Sequence, residues 1–257
     1  MTLAYALRSY EFWLAQYRRI WRSSIITSIV NPIFYLGALG VGLGTLVNKS
    51  GNAPAGVSYL AYVAPGVLAA TAMQIGTVEG SWPVLGSIKW TRGYYAMLAT
   101  PLGVREVMVG HQLWMATRVA TSSAVYLAVI AMFGGIHSPL AILAWPVCVL
   151  IGVAFSAPMA AYAAHSDSER SFVAVFRFAI VPMFLFSGTF FPITRLPHGL
   201  RELAYLTPLW HGVDLCRGLT LGGIGWLLAL GHVAYLLLWA VVGLVLAERS
   251  YTARLVR

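Results

Sequence analysis

The chain has few charged residues and few cysteines. Only 10% of its 257 residues are charged, whereas about a quarter are charged in an ordinary soluble domain, and 59% are hydrophobic. So few charges cannot cover the surface of a water-soluble protein of this size. The two cysteines, Cys148 and Cys216, fall at different depths of the membrane spans predicted below. We therefore expect no disulfide between them and expect both to pack as small apolar groups.

The sequence also lacks the motifs of several enzyme classes. It has no HExxH, CxxC or GxSxG motif, so zinc hydrolysis and nucleophile-elbow chemistry have no support and no metal site is predicted. The segment Gly42–Ser50 resembles a phosphate-binding loop at its Lys-Ser end, but Asn48 stands where that loop requires glycine. We therefore expect no ATPase site in this chain.

Two shorter patterns each allow two interpretations. Gly40 and Gly44 have the GxxxG spacing, which permits close helix approach either within the chain or at a dimer seam. His211 and Asp214 are three residues apart and would share one face of a helix. They could bind a metal, although a hydrogen-bonded structural pair is the simpler interpretation.

Six apolar stretches are each long enough to cross a bilayer as a helix, which takes about 20 residues. They are Ser24–Val47, Tyr59–Trp82, Leu113–Phe133, Pro139–Ala164, Phe172–Phe191 and Ile224–Ala247. The sequence therefore predicts an all-α polytopic membrane protein with six transmembrane helices, organised as a single domain over 1–257.

The basic residues predict the orientation in the membrane. Six crossings place both termini on one side, and that side carries all of the 17 lysines and arginines except Lys49, Arg195, Arg201 and Arg217. Because cytoplasmic loops are enriched in basic residues, both termini are expected in the cytoplasm. The positive charge is then expected to face membrane lipids, and no nucleic acid is predicted as a partner.

Three regions outside the spans have their own pattern. Residues 1–22 carry an apolar stripe with alternating spacings of four and three, which predicts an amphipathic helix in the membrane interface or a helix docked on a partner subunit. The stripe consists of Leu3, Leu7, Tyr10, Leu14, Tyr17 and Trp21.

Residues 83–112 are predicted to form a cytoplasmic segment with a short helix, and Thr100 and Pro101 predict that helix formation stops there and restarts at Pro101. Residues 192–223 predict two short amphipathic helices that re-enter the outer membrane edge and are broken at Pro208.

Two ionisable residues fall inside predicted spans. Glu79 lies about one turn from the cytoplasmic end of the second span, and Arg118 about one turn inside the third. Charges at membrane depth are costly, so Glu79 is expected to reach water or to pair with Arg118 or Lys89. Both a role in function and a purely structural role remain open for the two residues.

Four segments of the chain, taken together, resemble a known transporter family. They are Asn31–Leu36 with the glycines up to Gly44, Tyr59–Val67 with Glu79, Met97–Leu102, and Phe184–Pro192 with Pro208 and Arg217. In this order they resemble the permease subunit of type-2 ABC exporters, especially the nodulation-factor (lipo-oligosaccharide) and daunorubicin-resistance exporters. The resemblance extends over nearly the whole chain but says little about the substrate.

The resemblance implies an exporter of an amphipathic substrate, such as a lipo-oligosaccharide, a glycolipid or a hydrophobic drug, in the bacterial cytoplasmic membrane. Two permeases, identical or different, would work with two copies of a separate ATP-binding subunit, which would hold the ATP and Mg²⁺. The residues that match the family's coupling helix include Lys89, Trp90, Arg92, Tyr94 and Tyr95. The substrate would pass between spans one and five of the two copies, along Phe34, Tyr35, Phe184, Phe186, Phe190 and Phe191. These aromatic residues could equally face lipid or pack inside the protein.

Other classes of membrane protein fit less well. A channel or an ion-coupled secondary carrier would place several ionisable groups near the membrane midplane, and the middle of each predicted span is nearly free of them. No internal repeat of the two halves is evident, although many secondary carriers have one. A structural membrane scaffold would not need an organised coupling segment.

Overall fold

The computed structural model describes residues 3–19, 30, 32–49 and 56–256. Within these ranges the chain is helical or forms turns and bends, and no strand occurs there. The helices are α1 (Leu3–Tyr17), α2 (32–49), α3 (Tyr59–Glu79), α4 (Trp82–Lys89), α5 (Gly93–Leu98), α6 (Val104–Met132), α7 (Ala144–His165), α8 (170–186), α9 (Leu200–Tyr205), α10 (Pro208–Leu221) and α11 (Trp226–Leu255). Short 3₁₀ segments, Pro139–Leu143 and Ile193–Arg195, precede α7 and α9.

Among the residues that the structure describes, four helical stretches are long and apolar enough to cross a membrane. They are Tyr59–Lys89, Val104–Met132, Pro139–His165 and Trp226–Leu255, and they match the second, third, fourth and sixth predicted spans. The all-α, polytopic character of the chain is therefore confirmed. The first predicted span lies partly outside the described residues, at 24–29 and 31. The fifth is helical over 170–186, with π-helical turns at Phe176–Ile180. The number six stays a prediction.

The start of α6 differs from the predicted boundary. Helix formation restarts at Val104 rather than at Pro101, with Gly103 in an extended conformation at the N-cap and Glu106 in the first turn. A carboxylate in that position favours a helix start because the helix N-terminus carries partial positive charge. Residues 104–112 therefore form the first turns of the helix that contains the third predicted span.

Glycines let the central helices touch backbone to backbone. A methyl group on Gly76 of α3 would overlap the carbonyl oxygen of Gly152 in α7, and one on Gly152 would lie 2.5 Å from the side chain of Val119 in α6. Such close approach is the usual use of glycine between membrane helices. It fixes α3, α6 and α7 as one tightly packed group, in which most residues of α3 are buried.

The segment that imitates a phosphate-binding loop forms, up to Lys49, the last turns of α2, and this helix packs against α3. A methyl group on Gly40 would overlap the side chain of Leu60, so this glycine packs against the chain's own α3. The Asn48 side-chain oxygen accepts a hydrogen bond of 3.0 Å from the backbone N–H of Tyr59 and thereby caps α3. Both contacts favour packing within the chain over a dimer seam for the GxxxG pattern.

The bundle has two distinct ends. We call the end with α1, α4, α5 and the last turns of α11 the terminal end, and the end with α9 the distal end.

The break predicted at Pro208 is present: α9 ends before it, and the Thr207 hydroxyl accepts a hydrogen bond from the Trp210 N–H at the start of α10.

The two cysteines are neighbours, so the predicted difference in depth is wrong. Cys148 of α7 and Cys216 of α10 are both buried as free thiols, with their Sγ atoms 4.0 Å apart. The reason is the course of α10, which enters the core beside α7 instead of lying on the surface. Leu209 and Val213 of the same helix are completely buried.

Candidate functional site

At the terminal end, four of the five predicted coupling residues line one cleft. Lys89, Trp90, Arg92 and Tyr95 surround a volume of about 790 Å³ together with Arg254 at the end of α11, and Ile88 and Ala253 complete the lining. The chain reverses between α4 and α5 at Arg92, whose φ of 50° places it in the left-handed region. This tight turn presents Trp90 and Tyr95 on the surface, where they are 61% and 39% exposed.

A carboxylate bridges two of the cleft's cations. Asp167, in the loop between α7 and α8, accepts a 2.7 Å hydrogen bond from Arg254 and lies 3.4 Å from the Lys89 ammonium. Hydrogen bonds from Arg254 and then Lys89 hold the pKa of Asp167 below its usual value. The bridge ties α4, this loop and α11 together. Arg92 forms no ion pair within the described part of the chain, so the three cations of the cleft outnumber the single carboxylate of Asp167.

Tyr94 does not belong to this surface, and its role in coupling stays a prediction. Its side chain is completely buried, and its hydroxyl lies 2.5 Å from His111 Nδ1 and 3.0 Å from the Tyr251 hydroxyl. Burial, followed by the neighbouring Tyr251, raises the Tyr94 pKa well above its usual value. Trp13 of α1 stacks on His111 with ring centroids 3.7 Å apart. Tyr94 is therefore a junction that joins α5 to α1, α6 and α11.

Helix α1 packs on the chain itself. Tyr10, Leu14 and Tyr17 of the predicted stripe are partly buried against the core of the terminal end, but Leu7 is 44% exposed. The most buried residues, which the stripe did not include, are Ala6, Ser9 and Trp13. A methyl group on Gly110 of α6 would overlap the Ser9 side chain. The pair of small residues in α1, together with this glycine, was the available sequence signal for close packing. Trp21 and Arg22 lie outside the described residues.

The intramembrane charges Glu79 and Arg118 form an ion pair, which is one of the three arrangements that the sequence left open for Glu79. Arg118 Nε donates to Glu79 Oε1 at 3.1 Å, and the two side chains are 21% and 17% exposed. The Arg118 guanidinium also lies over the ring of Tyr17, 4.8 Å from its centroid. Lys89, the alternative partner, binds Asp167 instead. The pair links α3 to α6 and, through Tyr17, to α1.

Removing one member of this pair is expected to cost more than removing both. Glu79→Gln leaves the mostly buried Arg118 without its counter-charge, and we expect a loss of about 1–3 kcal/mol in the free energy of unfolding. The double variant with Arg118→Gln should recover part of that loss, measured by SDS unfolding in mixed micelles. Leu238→Ala, at a 61% exposed position of α11, serves as the control and should change little. Strictly additive losses would contradict the pairing.

The six predicted substrate-path aromatics do not share one surface. Phe34, Tyr35 and Phe186 are exposed on α2 and α8, with exposed fractions of 71%, 44% and 38%. Phe184 packs edge to face with Phe190 at 5.0 Å between centroids. Phe191 contacts the small cluster formed by Ile193, Leu196 and Ala204. The chain thus presents three of these rings outward, and their role in transport stays a prediction.

An apolar cavity that the sequence did not reveal lies beneath α8. It has a volume of about 490 Å³ and runs from Thr77 and Tyr162 towards Leu206 and Thr207 near the distal end, with Trp239 of α11 on one side. Its walls come from five separated stretches of the chain. Sequence periodicity does not show such a cavity, because it depends on how α7, α8 and α11 are arranged in space.

Arg217 is a second feature whose role the sequence did not define. Its guanidinium donates to the backbone carbonyls of Tyr62 at 3.1 Å and Gly188 at 2.7 Å, and it covers the Tyr62 ring at 3.9 Å. Gly188 belongs to the non-helical segment that follows α8, with φ of 79°. Backbone polar groups at membrane depth need partners inside the protein, and Arg217 supplies one here.

Comparisons with known proteins place these features in context. The family described as ABC-2 type transporter matches residues 5–221. Nodulation protein J of Rhizobium leguminosarum bv. viciae is 32% identical over 252 residues, which is 95% of each chain. Nodulation protein J of Rhizobium meliloti (strain 1021) is 30% identical over 251 residues, covering 95% of this chain and 94% of the relative. Nodulation protein J of Rhizobium leguminosarum bv. trifolii is 33% identical over 217 residues, covering 82% and 81%.

Proposed function

Because the chain belongs to the ABC-2 type transporter family, we propose that it is the membrane subunit of an exporter driven by a separate ATP-binding subunit. The ATP-binding subunit docks on the cleft at the terminal end. Two permeases and two ATP-binding subunits form the working unit, and ATP and Mg²⁺ bind only in the latter. The terminal end then faces the cytoplasm, as the distribution of basic residues favours.

The proposal rests mainly on the difference between the exposed residues that line the cleft and the buried Tyr94 next to them. Lys89, Trp90, Arg92 and Tyr95 lie around an open cleft, whereas the neighbouring Tyr94 is held by groups from three other helices. A push on the surface residues of α4 and α5 would therefore move α1, α6 and α11 as one body. Rigid-body movement of packed helices is a common way of transmitting such a push.

The cargo that fits best is an amphipathic molecule with an acyl or polyketide part. The apolar cavity under α8 and the exposed rings of Phe34, Tyr35 and Phe186 offer surface for an apolar chain. The relatives are named as nodulation proteins, and the resemblance to lipo-oligosaccharide exporters agrees with a lipid-linked saccharide or a glycolipid. The exposed faces of α2 and α8 are then the sides on which a second permease packs, with the substrate between the two copies.

Removal of the cleft's surface side chains should uncouple the two subunits. The quadruple variant Lys89→Ala, Trp90→Ala, Arg92→Ala and Tyr95→Ala changes exposed or partly exposed groups, so the protein should still insert and fold. We expect at least a tenfold loss of ATP-binding subunit recovered by co-purification, or hydrolysis that transported substrate no longer stimulates, because 1.4 kcal/mol of lost contact already gives that factor.

A matched control changes exposed side chains at the other end of the bundle. Leu227 and Leu228 are 86% and 55% exposed, and their double alanine variant should keep normal association. Normal association and coupling by a stably expressed quadruple variant would refute the assignment of the cleft.

The proposed orientation can be tested by cysteine labelling. In a background without Cys148 and Cys216, a cysteine at residue 198 should react with an impermeant thiol reagent added to intact cells, because the side chain there is 91% exposed at the distal end. Cysteines at residues 90 and 168, which lie beside the Lys89–Asp167 ion pair, should react only after the membrane is opened. Labelling of residue 168 from outside would overturn the orientation.

A further inference from the structure

Three titratable side chains form a continuous chain of contacts at the distal end. His211 Nδ1 of α10 lies 2.8 Å from His232 Nδ1 of α11, and His232 Nε2 lies 3.2 Å from Asp214 Oδ2 of α10. On the side of His211 that faces away from His232, His211 Nε2 lies 3.1 Å from the carbonyl oxygen of Tyr205 in α9. The sequence had paired only His211 with Asp214. His232 lies between them because α11 packs against α10.

The hydrogen-bond capacity of these groups fixes how many protons the chain of contacts needs. The Tyr205 carbonyl only accepts, so His211 Nε2 must carry a hydrogen. If His211 is neutral, its Nδ1 is an acceptor and His232 must donate through Nδ1. A neutral His232 would then turn the lone pair of Nε2 towards the Asp214 carboxylate.

That last contact is unfavourable in this setting. The His232 side chain is 2% exposed, and its Nε2 atom has no hydrogen-bond partner within the described part of the chain, the Asp214 oxygen being close but not aligned for a full hydrogen bond. A lone pair held near a carboxylate oxygen and away from water is repelled, whereas an N–H in that place is attracted. The geometry therefore favours a hydrogen on Nε2.

If the hydrogen bond between the two rings runs the other way, the same number of N–H hydrogens is required. If His211 donates through both ring nitrogens, His232 accepts at Nδ1 and donates from Nε2 towards Asp214. Either arrangement has three N–H hydrogens on the two rings, and two neutral imidazoles supply only two. We propose that the α10–α11 junction is a proton-binding site, in which His211 and His232 share one extra proton whose charge is balanced by Asp214.

The surroundings agree with a proton rather than a metal ion. The two Nδ1 atoms point at each other at hydrogen-bond distance, and Asp214 lies on the far side of the His232 ring, so the three groups do not converge on one point. Among the described residues, no group of three metal-ligating side chains comes together here or elsewhere.

The other polar and charged groups nearby are already engaged. Tyr235 of α11 stacks on His211 at 3.9 Å between centroids and donates its hydroxyl to the Leu206 carbonyl. Arg217, one turn after Asp214 in α10, donates to Tyr62 and Gly188, while its positive charge still acts on Asp214. Trp210 contacts both imidazoles through ring edges. Asp214 is therefore the carboxylate that faces the pair.

The proton holds the re-entrant helices against the last span. Without it, either two lone pairs face each other between the rings or one lone pair faces the carboxylate, and the contact between α10 and α11 must loosen. Asp214 is 38% exposed, which gives the proton a route to the solvent at the distal end. The position of α9 and α10 thus depends on the proton concentration of the compartment that they face.

The test is nitrogen NMR of the full-length chain, labelled with ¹⁵N in histidine and held in lipid nanodiscs. At about pH 8 an isolated histidine is almost entirely neutral. We expect the wild type to retain one extra protonated ring nitrogen at this pH, and Asp214→Asn to lose it while Asp214→Glu keeps it. The control is His198→Gln, which removes an exposed histidine beside Glu202 at the same end and should leave the signal intact.

The wild-type spectrum alone can refute the site, so the result does not depend on whether a variant folds. Neutral rings for every histidine at about pH 8 would overturn the proposal, because no extra proton would then be bound. Survival of the extra proton in Asp214→Asn, with the other histidine signals unchanged, would overturn the role of Asp214. Neither result would affect the proposed association with an ATP-binding subunit.

Discussion

Arg217→Ala is expected to reduce the free energy of unfolding by up to about 5 kcal/mol, the largest effect expected of a polar substitution in this chain. The guanidinium satisfies the Gly188 carbonyl, which has no helical partner, and it covers the Tyr62 ring. An unpaired buried carbonyl costs about 1–3 kcal/mol, and a desolvated cation–π contact contributes up to about 2 kcal/mol. SDS titration in mixed micelles, followed by tryptophan fluorescence, measures the loss.

Two further variants separate this mechanism from a general effect of charge. Arg217→Lys keeps the positive charge but cannot donate to Tyr62 and Gly188 while covering the ring, so it should retain only part of the stability. Arg249→Ala removes an exposed arginine from α11 and should change the free energy by less than about 0.5 kcal/mol. Wild-type stability of Arg217→Ala would show that the segment after α8 does not depend on this side chain.

Gly76→Ala is expected to lower the free energy of unfolding by about 2–4 kcal/mol. The added methyl group meets the Gly152 carbonyl, a backbone atom that cannot rotate aside, so α3 and α7 must move apart. Gly152→Ala meets the Val119 side chain instead, and a smaller loss is expected because that side chain can shift. The same SDS titration orders the two variants.

Gly231→Ala provides the matched control for a methyl group added to a helix. No atom of the described residues lies within 4 Å of a Cβ at this position of α11, so the substitution should be neutral or stabilise by up to about 1 kcal/mol. Equal stability of the Gly76 and Gly231 variants would mean that α3 and α7 are not in backbone contact.

Hydropathy predicted those parts of the fold that depend on composition along the chain. Four spans and the break at Pro208 follow from apolar length and from the missing N–H of proline. The depth of Cys216 could not be predicted in the same way, because hydropathy gives the order of segments and not their course through space. Helix α10 is only moderately apolar, yet it enters the core because α7 offers it a surface.

The residues of the candidate site came from the resemblance to the family's coupling helix, and their role stays a prediction. Lys89, Trp90, Arg92 and Tyr95 do lie around one cleft, but a helix as short as α5 has too little periodicity to show that Tyr94 points inward. Contacts between residues that are far apart in the sequence could not be predicted either. The carbonyls that Arg217 binds, and the approach of His232 to His211, exist only once separate helices have packed together.

The most direct test of the proposed function compares ATP hydrolysis by the two subunits apart and recombined. The permease and its candidate ATP-binding subunit are purified separately and then reconstituted together in lipid vesicles. We expect no hydrolysis by the permease alone and a stable complex whose hydrolysis rate differs severalfold from that of the free ATP-binding subunit, a difference that the quadruple cleft variant abolishes. ATP hydrolysis by the permease alone, or failure of the wild-type chains to associate, would contradict a membrane subunit driven through its terminal cleft.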